Sequence, residues 1–433
     1  MQSTYNLERA STNPMSIIRT VLVTGVFVIL MWATPLARAQ QWIATWGAAP
    51  TAAPPLDTGF TPAFVDGFNN QTIRNIVHTS VGGRAVRVRL TNRFSSHTVT
   101  FESVYVGLVH SGAILEAHSN RVLTFRGHTT VSLSAGEDAL SDPVLFDVPP
   151  DADLAISLFT EAATGVPTIH LVANETTYVG DGNLAASEDG ALLAPAATSW
   201  YFVDRVDVLA SDRIKGVVVA FGDSITDGDQ STLDQNRRWP NYLAHRILAG
   251  PPGLQMAVLD EGISANRLLT DSPCFGLSGE NRLEKDVLNQ PGVRFVILME
   301  GLNDIGFPVY KAPFYCIDPN IEVSAGQIIT GYEQVIAKVH AKGLKIFAGT
   351  LIPFKGAWYW TPEGEAKRAE INNFIKTSGE FDGVIDFAAA VADPNDPTMV
   401  AAQLLSRDNV HPNDAGYKAM ADAVDLSLFL PPR

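Results

Sequence analysis

The chain has 433 residues, 46% of them hydrophobic and 18% charged, and a net charge of −15. This is ordinary globular composition, with length enough for two domains. The acidity argues against nucleic acid and anionic membrane surfaces as partners, because phosphates repel it; it says little about a neutral substrate.

Residues 16–39 are expected to form an export signal. Arg19 supplies the positive end, Val21 to Ala33 the apolar stretch, and Ala37-Arg38-Ala39 a small-x-small cleavage site before Gln40. The polar residues 1–14 are an unusual prefix for such a signal, and Met15 is an alternative start. A membrane anchor is the rival reading, but the apolar stretch is short against the roughly 20 residues a bilayer span needs. Removing residues 1–39 takes away three arginines and one glutamate and leaves −17, with no stable membrane anchor and a secreted or periplasmic destination. The two cysteines, Cys274 and Cys316, read as a disulfide in an exported protein, with two buried free thiols as the alternative. Two cysteines without clustered histidines argue against a zinc site, and neither metal nor cofactor is expected.

From Trp42 to about Ala210 the pattern has period two, as in Val86-Arg87-Val88-Arg89-Leu90 and Leu154-Ala155-Ile156-Ser157-Leu158. Thr198 to Leu209 gives another strand-like run, and Phe101–Val109 and Val131–Leu133 fill the middle. Short strands broken by turn residues predict a β-sandwich-like domain over 40–212. His78, His97, His110, His118, His128 and His170 are scattered through it and assemble no catalytic set.

After Ser211-Asp212-Arg213, apolar strands alternate with amphipathic helices. Strands are predicted at 216–221, 256–259, 293–299, 344–350 and 384–387, and helices at 239–248, 280–288, 324–342, 362–377 and from Pro412 to about Leu428. Five strands alternating with helices make an α/β, doubly wound parallel sheet over 213–433, with ligands at the carboxyl ends of the strands.

Three motifs fall at those ends. Gly222-Asp223-Ser224-Ile225 follows the first strand, Asp260-Glu261-Gly262 the second and Gly301-Leu302-Asn303-Asp304 the third. Asp408-Asn409-Val410-His411-Pro412 precedes the last helix, with His411 expected at its cap. A serine hydroxyl needs an imidazole to take its proton, and the imidazole needs a carboxylate to fix its tautomer. An asparagine amide is a neutral donor suited to an oxyanion. Each motif alone has a plainer reading: a turn for Gly-Asp-Ser, an Asx turn for Asn303, a cap and a surface histidine for Asp408 and His411. The Gly-x-Ser-x-Gly elbow of α/β-hydrolases is absent.

Taken together, Gly222-Asp223-Ser224-Ile225-Thr226, Gly262, Gly301-x-Asn303-Asp304 and Asp408-x-x-His411-Pro412 resemble the four blocks of the GDSL or SGNH hydrolases, over roughly residues 214–430. The resemblance implies a three-layer, flavodoxin-like sheet, with Ser224 as nucleophile, His411 as base and Asp408 as its orienter. It implies an oxyanion hole made of the Ser224 and Gly262 N–H groups and the Asn303 side chain. Members often follow that glycine with Ser-Gly; here Ser264-Ala265-Asn266 stands. Trp42-Ile43-Ala44-Thr45-Trp46-Gly47 and Arg237-Arg238-Trp239-Pro240 look like the arylesterase and acylhydrolase branch found beside xylan-degrading enzymes.

The expected function is hydrolysis of a carboxylic ester, on a small molecule or a polysaccharide, through an acyl-enzyme. Trp358-Tyr359-Trp360 is either an aromatic platform at the site mouth, with Trp358 and Trp360 as contacts, or ordinary packing under a loop. A disulfide between Cys274 and Cys316 would brace the loop that holds Asn303. The rivals are an acyltransferase using the same acyl-enzyme and a carbohydrate-binding protein with an inactive hydrolase domain. Acetylated xylan, short aryl esters and longer acyl chains all remain open as substrates.

Overall fold

A computed structural model describes residues 41–56, 58–251 and 253–430. The expected export signal over 1–39, with Met15, lies outside them. Among the described residues no helix is long and apolar enough to cross a membrane.

The five predicted α/β strands form one parallel sheet. Val217–Gly222 lies between Ala257–Gly262 and Val293–Met299, followed by Lys345–Gly349 and Gly383–Ile385, so the sequential order is 2-1-3-4-5. That is the order in which the chain reverses direction between the first and third strands, leaving a crevice beyond their carboxyl ends. Val217 to Gly222 are all buried, as a continuous apolar run in a sheet covered on both faces requires.

The helices follow from their termini. Pro240 lies within the first two residues of Trp239–Leu248. Ser324 and Gln327 form a reciprocal capping box ahead of Ala325–Ala341, and Gly343 leaves that helix at φ 72°. Thr361 caps Pro362–Thr377. Three predicted segments come out differently. The one at 280–288 begins as α-helix, Gly279–Leu283, and widens into a π turn, Glu284–Leu288. The fifth strand stops at Ile385, because Asp386 caps a new short helix, Phe387–Val391. The last helix is Asp414–Asp422, followed by a 3₁₀ turn at Leu426–Phe429. Its cap is Asn413, whose side chain accepts from the N–H groups of Ala415 and Gly416, and not His411.

Before residue 210 the strands are antiparallel. Trp42–Gly47, Val203–Leu209, Gly83–Thr91 and Asp138–Leu140 form one sheet; in a second, Gln71–Thr79 pairs with Ala152–Thr160 and Thr177–Asp181. Val86 to Leu90 alternates buried and half-buried, as its pattern predicts. Ala152–Thr160 is buried on both faces, since the Ser157 hydroxyl accepts from the buried Arg74 guanidinium at 2.8 Å and Ala155 packs on Ile76 and Leu115.

One hydrophobic core runs through both regions, from Ile43 and Val88 to Val219 and Ile297. Hydrogen bonds cross the junction as well. The Ala44 N–H donates to the Pro291 carbonyl at 3.0 Å, the Val258 N–H to the Ser80 hydroxyl at 3.1 Å, and Arg93 pairs with Asp286 at 2.8 Å. This packing brings side chains of the antiparallel region to the carboxyl ends of the parallel strands.

Candidate active site

Ser224 is the first residue of a single helical turn, Ser224–Asp227, directly after the central strand. Asp223 caps that turn by accepting the Ile225 N–H at 3.0 Å. Burial pushes the Asp223 carboxyl up to about 7. A Cβ at Gly222 would collide with the Met299 carbonyl and the Thr226 hydroxyl, so a glycine lets this turn fold back over the sheet. The turn ends at Gly228, φ 85°, leaving a helix too short for much of a dipole.

His411 reaches Ser224 from 187 residues away, with its Nε2 2.7 Å from the serine Oγ. Its Nδ1 lies 2.6 Å from Asp408 Oδ2. The other oxygen, Oδ1, accepts the Ser406 hydroxyl at 2.7 Å and the N–H groups of Val410 and His411, each at 2.9 Å. These bonds and the imidazole outweigh burial and hold the Asp408 carboxyl below the usual carboxylate range. Burial pulls His411 the other way, but Asp408, Asp229 and Asp223 win and its pKa is raised. Asp229 Oδ2 stands 4.0 Å from His411 Nε2, a second carboxylate facing the imidazole.

Asn303 follows the third strand in a turn opened by Gly301 at φ 128°. Its side-chain nitrogen donates to the Asn266 carbonyl at 2.9 Å, which fixes the amide and leaves one N–H over. Asp304 accepts the N–H groups of Leu268 and Leu269 at 2.7 and 3.0 Å and ties the second loop to the same turn.

Gly262 does not face the site. Its N–H donates to Asp260 Oδ1 at 3.0 Å, and its Cα packs against the backbone of Thr226 and Asp227. Ala265, three residues on, lines the same cavity as Ser224, Asn303 and His411. It sits in left-handed backbone at φ 64°, held by the Ser264 N–H and hydroxyl on Asp227 Oδ2 at 2.8 and 2.9 Å. Among the described residues, no acceptor takes the N–H of Ala265 or of Ser224. A glycine would advertise such a backbone; an alanine hides it.

The cavity holds about 480 Å³ and is largely apolar, with Phe275, Phe307, Tyr310, Phe314 and Tyr359 around it. Trp358 stands at its rim, 62% exposed, its ring nearly parallel to that of Phe307. Trp360 is not part of the lining; it is half-buried and packs on the main core. Phe60, Leu171 and Val172 complete the wall from the antiparallel region, with Phe60 edge-on to Phe275 at 5.1 Å. Cys274 and Cys316 form a disulfide, and the adjacent Phe275 and Ile317 both face the cavity.

His170 shows what a lone histidine of the first region does. Its Nδ1 is 2.9 Å from the Ala49 carbonyl and its Nε2 3.0 Å from Asp227 Oδ1, so it braces the carboxylate that also holds Ser264.

Residues 220–419 match the GDSL-like Lipase/Acylhydrolase family. No curated protein matches the chain. Among solved structures, it is similar to Axe2, an acetylxylan esterase from Geobacillus stearothermophilus, at 20% identity over 48% of this chain and 92% of that one, with a TM-score of 0.37. It is also similar to LAE5, an α/β hydrolase from the metagenome of Lake Arreo, at 18% identity over 48% and 93%, with a TM-score of 0.37.

Proposed function

We propose that this chain, a carboxylic ester hydrolase of the GDSL-like lipase/acylhydrolase family, is exported and cleaves apolar esters through an acyl-enzyme on Ser224. The observation that carries the reading is the continuous relay from Ser224 Oγ to His411 Nε2 at 2.7 Å and from His411 Nδ1 to Asp408 at 2.6 Å.

Ser224 Oγ attacks the ester carbonyl while His411 Nε2 takes its proton. Asp408 keeps the remaining proton on Nδ1 and stabilises the imidazolium. The carbonyl oxygen becomes an oxyanion, held by the N–H groups of Ser224 and Ala265 and by the free side-chain N–H of Asn303. Ala265 takes the place expected of Gly262, whose own N–H is occupied by Asp260. The imidazolium then protonates the departing alkoxide. Water, deprotonated by His411, attacks the acyl-enzyme and releases the acid and Ser224.

The aromatic lining supports an aryl or apolar acyl group beside the reacting carbon. Trp358, exposed at the rim, favours a second reading in which a sugar ring stacks there and an acetyl group enters the cavity. A series of p-nitrophenyl esters of increasing chain length, run beside acetylated xylan with wild type and Ser224→Ala, separates the two. The first reading expects kcat/KM to rise beyond acetate and Ser224→Ala to lose several orders of magnitude without unfolding. Acetylated xylan as the best substrate would establish the second, and activity retained in Ser224→Ala would refute both.

A further inference from the structure

A second cluster of reactive side chains lies where the antiparallel region meets the α/β region. His78 comes from the Gln71–Thr79 strand, Asp151 from the turn before Ala152–Thr160, and His245 from the Trp239–Leu248 helix. His78 Nε2 lies 2.9 Å and His245 Nε2 2.7 Å from the same oxygen, Asp151 Oδ1. The three ligand atoms all fall within 4.8 Å of one another.

We propose that His78, His245 and Asp151 form a zinc site that clasps the two regions together. Two imidazole nitrogens and one carboxylate oxygen are a donor set suited to Zn²⁺, and poorly suited to Mg²⁺ or Ca²⁺, which prefer oxygen throughout. Ligand pairs around a tetrahedral zinc sit about 3.3 Å apart, so the two contacts to Asp151 need to open by about 0.5 Å and the imidazole nitrogens, within 4.8 Å of each other, to close by at most about 1.5 Å.

The orientation of His78 points the same way. Its Nδ1 is 2.7 Å from Asp153 Oδ1, the carboxylate–histidine arrangement that fixes a metal-binding imidazole from behind. With its proton on Nδ1, a neutral His78 turns the Nε2 lone pair toward Asp151. His245 can likewise carry its proton on Nδ1, which leaves both Nε2 atoms, together with Asp151 Oδ1, available as ligands to one cation. Asp151 and His245 are about half-exposed, which leaves an outward position for water as the fourth ligand.

The full chain, stripped with a chelator, is titrated with zinc chloride by calorimetry, with magnesium and calcium chloride as controls. The proposal expects one zinc per chain and a zinc-dependent rise in the unfolding midpoint, neither of which magnesium or calcium reproduces. His245→Ala and Asp151→Asn should each abolish both effects, and Asp153→Asn should weaken binding about 10–100-fold. His245 is on the surface, so its replacement leaves the core intact, which the metal-free unfolding midpoint checks. A wild-type chain that binds no zinc, or a His245→Ala chain that binds it undiminished, overturns the proposal.

Discussion

Replacing Asp408 with asparagine tests how the candidate base is oriented. Asp408 uses its two oxygens separately: Oδ1 holds Ser406 and the Val410 and His411 backbones, and Oδ2 alone meets His411 Nδ1. An asparagine can keep its oxygen at the first position, so the loop should survive. Its NH₂ group then donates where a carboxylate accepted, which forces the proton of His411 from Nδ1 to Nε2. That nitrogen can no longer take the Ser224 proton. A carboxylate-to-amide change of this kind in a Ser-His-Asp relay costs about 10⁴ in turnover, or about 5.4 kcal/mol of barrier. The assay is kcat/KM on a p-nitrophenyl ester across pH, with the unfolding midpoint as control. In wild type the neutral imidazole is the working base and its pKa is raised, so activity should fall with acid along a limb centred above 6.5. In Asp408→Asn the residual limb should move to lower pH, because one of the three carboxylates that raise His411 is gone. A variant that stays folded with activity within about tenfold of wild type would refute the role given to Asp408.

Asn303→Ala should lower kcat by about 10²–10³ as the loss of one oxyanion donor does, measured with saturating ester; a change in KM alone would make Asn303 a binding residue. Reducing the Cys274–Cys316 disulfide, whose cysteines are 42 apart in sequence, should lower stability by up to about 4 kcal/mol in the loop-entropy account, and with it apolar-ester activity, because Phe275 and Ile317 lose their brace; an unfolding midpoint indifferent to reductant would contradict this. Glu175 is buried, with Oε1 unpartnered, and burial, reinforced by Asp153 and Asp234 against Arg238, pushes it up to about 8 from an ordinary 4.5. The folded chain therefore keeps a proton that the unfolded chain releases, so this group's contribution to stability is full below pH 4.5 and declines until about pH 8. Glu175→Gln should be neutral near pH 4 and stabilising by on the order of 3 kcal/mol at pH 7, by denaturant unfolding at both; equal stability of the two chains at pH 7 would refute it.

What could be read from the residues was what the chain keeps local. Val217 to Phe221 announces a buried strand, and Gly-Asp-Ser follows it within the same few residues. Asp408 and His411 are three apart, so one loop can set their geometry. Asn303 sits in a turn beginning at the strand end it follows. The parts that escaped are decided by backbone conformation and competing hydrogen bonds, or by contacts between distant segments. Gly262 had the right residue type, but its N–H was taken by Asp260 two residues earlier in the chain. Ala265, proposed as the donor in its place, has left-handed backbone without the glycine that signals it. Asn413 outcompeted His411 as cap because a carboxamide oxygen reaches two helix N–H groups. The cavity wall draws Phe60 and Leu171 from the antiparallel region, where an apolar residue reads as core and nothing marks it as lining a site. Asp151 and His245 meet His78 from 73 and 167 positions away, a spacing no metal motif describes.

The proposed chemistry requires a covalent bond to one hydroxyl. Treating the enzyme with a fluorophosphonate and mapping the adduct by peptide mass spectrometry locates that bond directly. One equivalent on the peptide bearing Ser224, with proportional loss of esterase activity and no labelling of Ser224→Ala, is the predicted result. Stoichiometric labelling at another residue, or full ester hydrolysis by an enzyme that has taken up the label on Ser224, would contradict it.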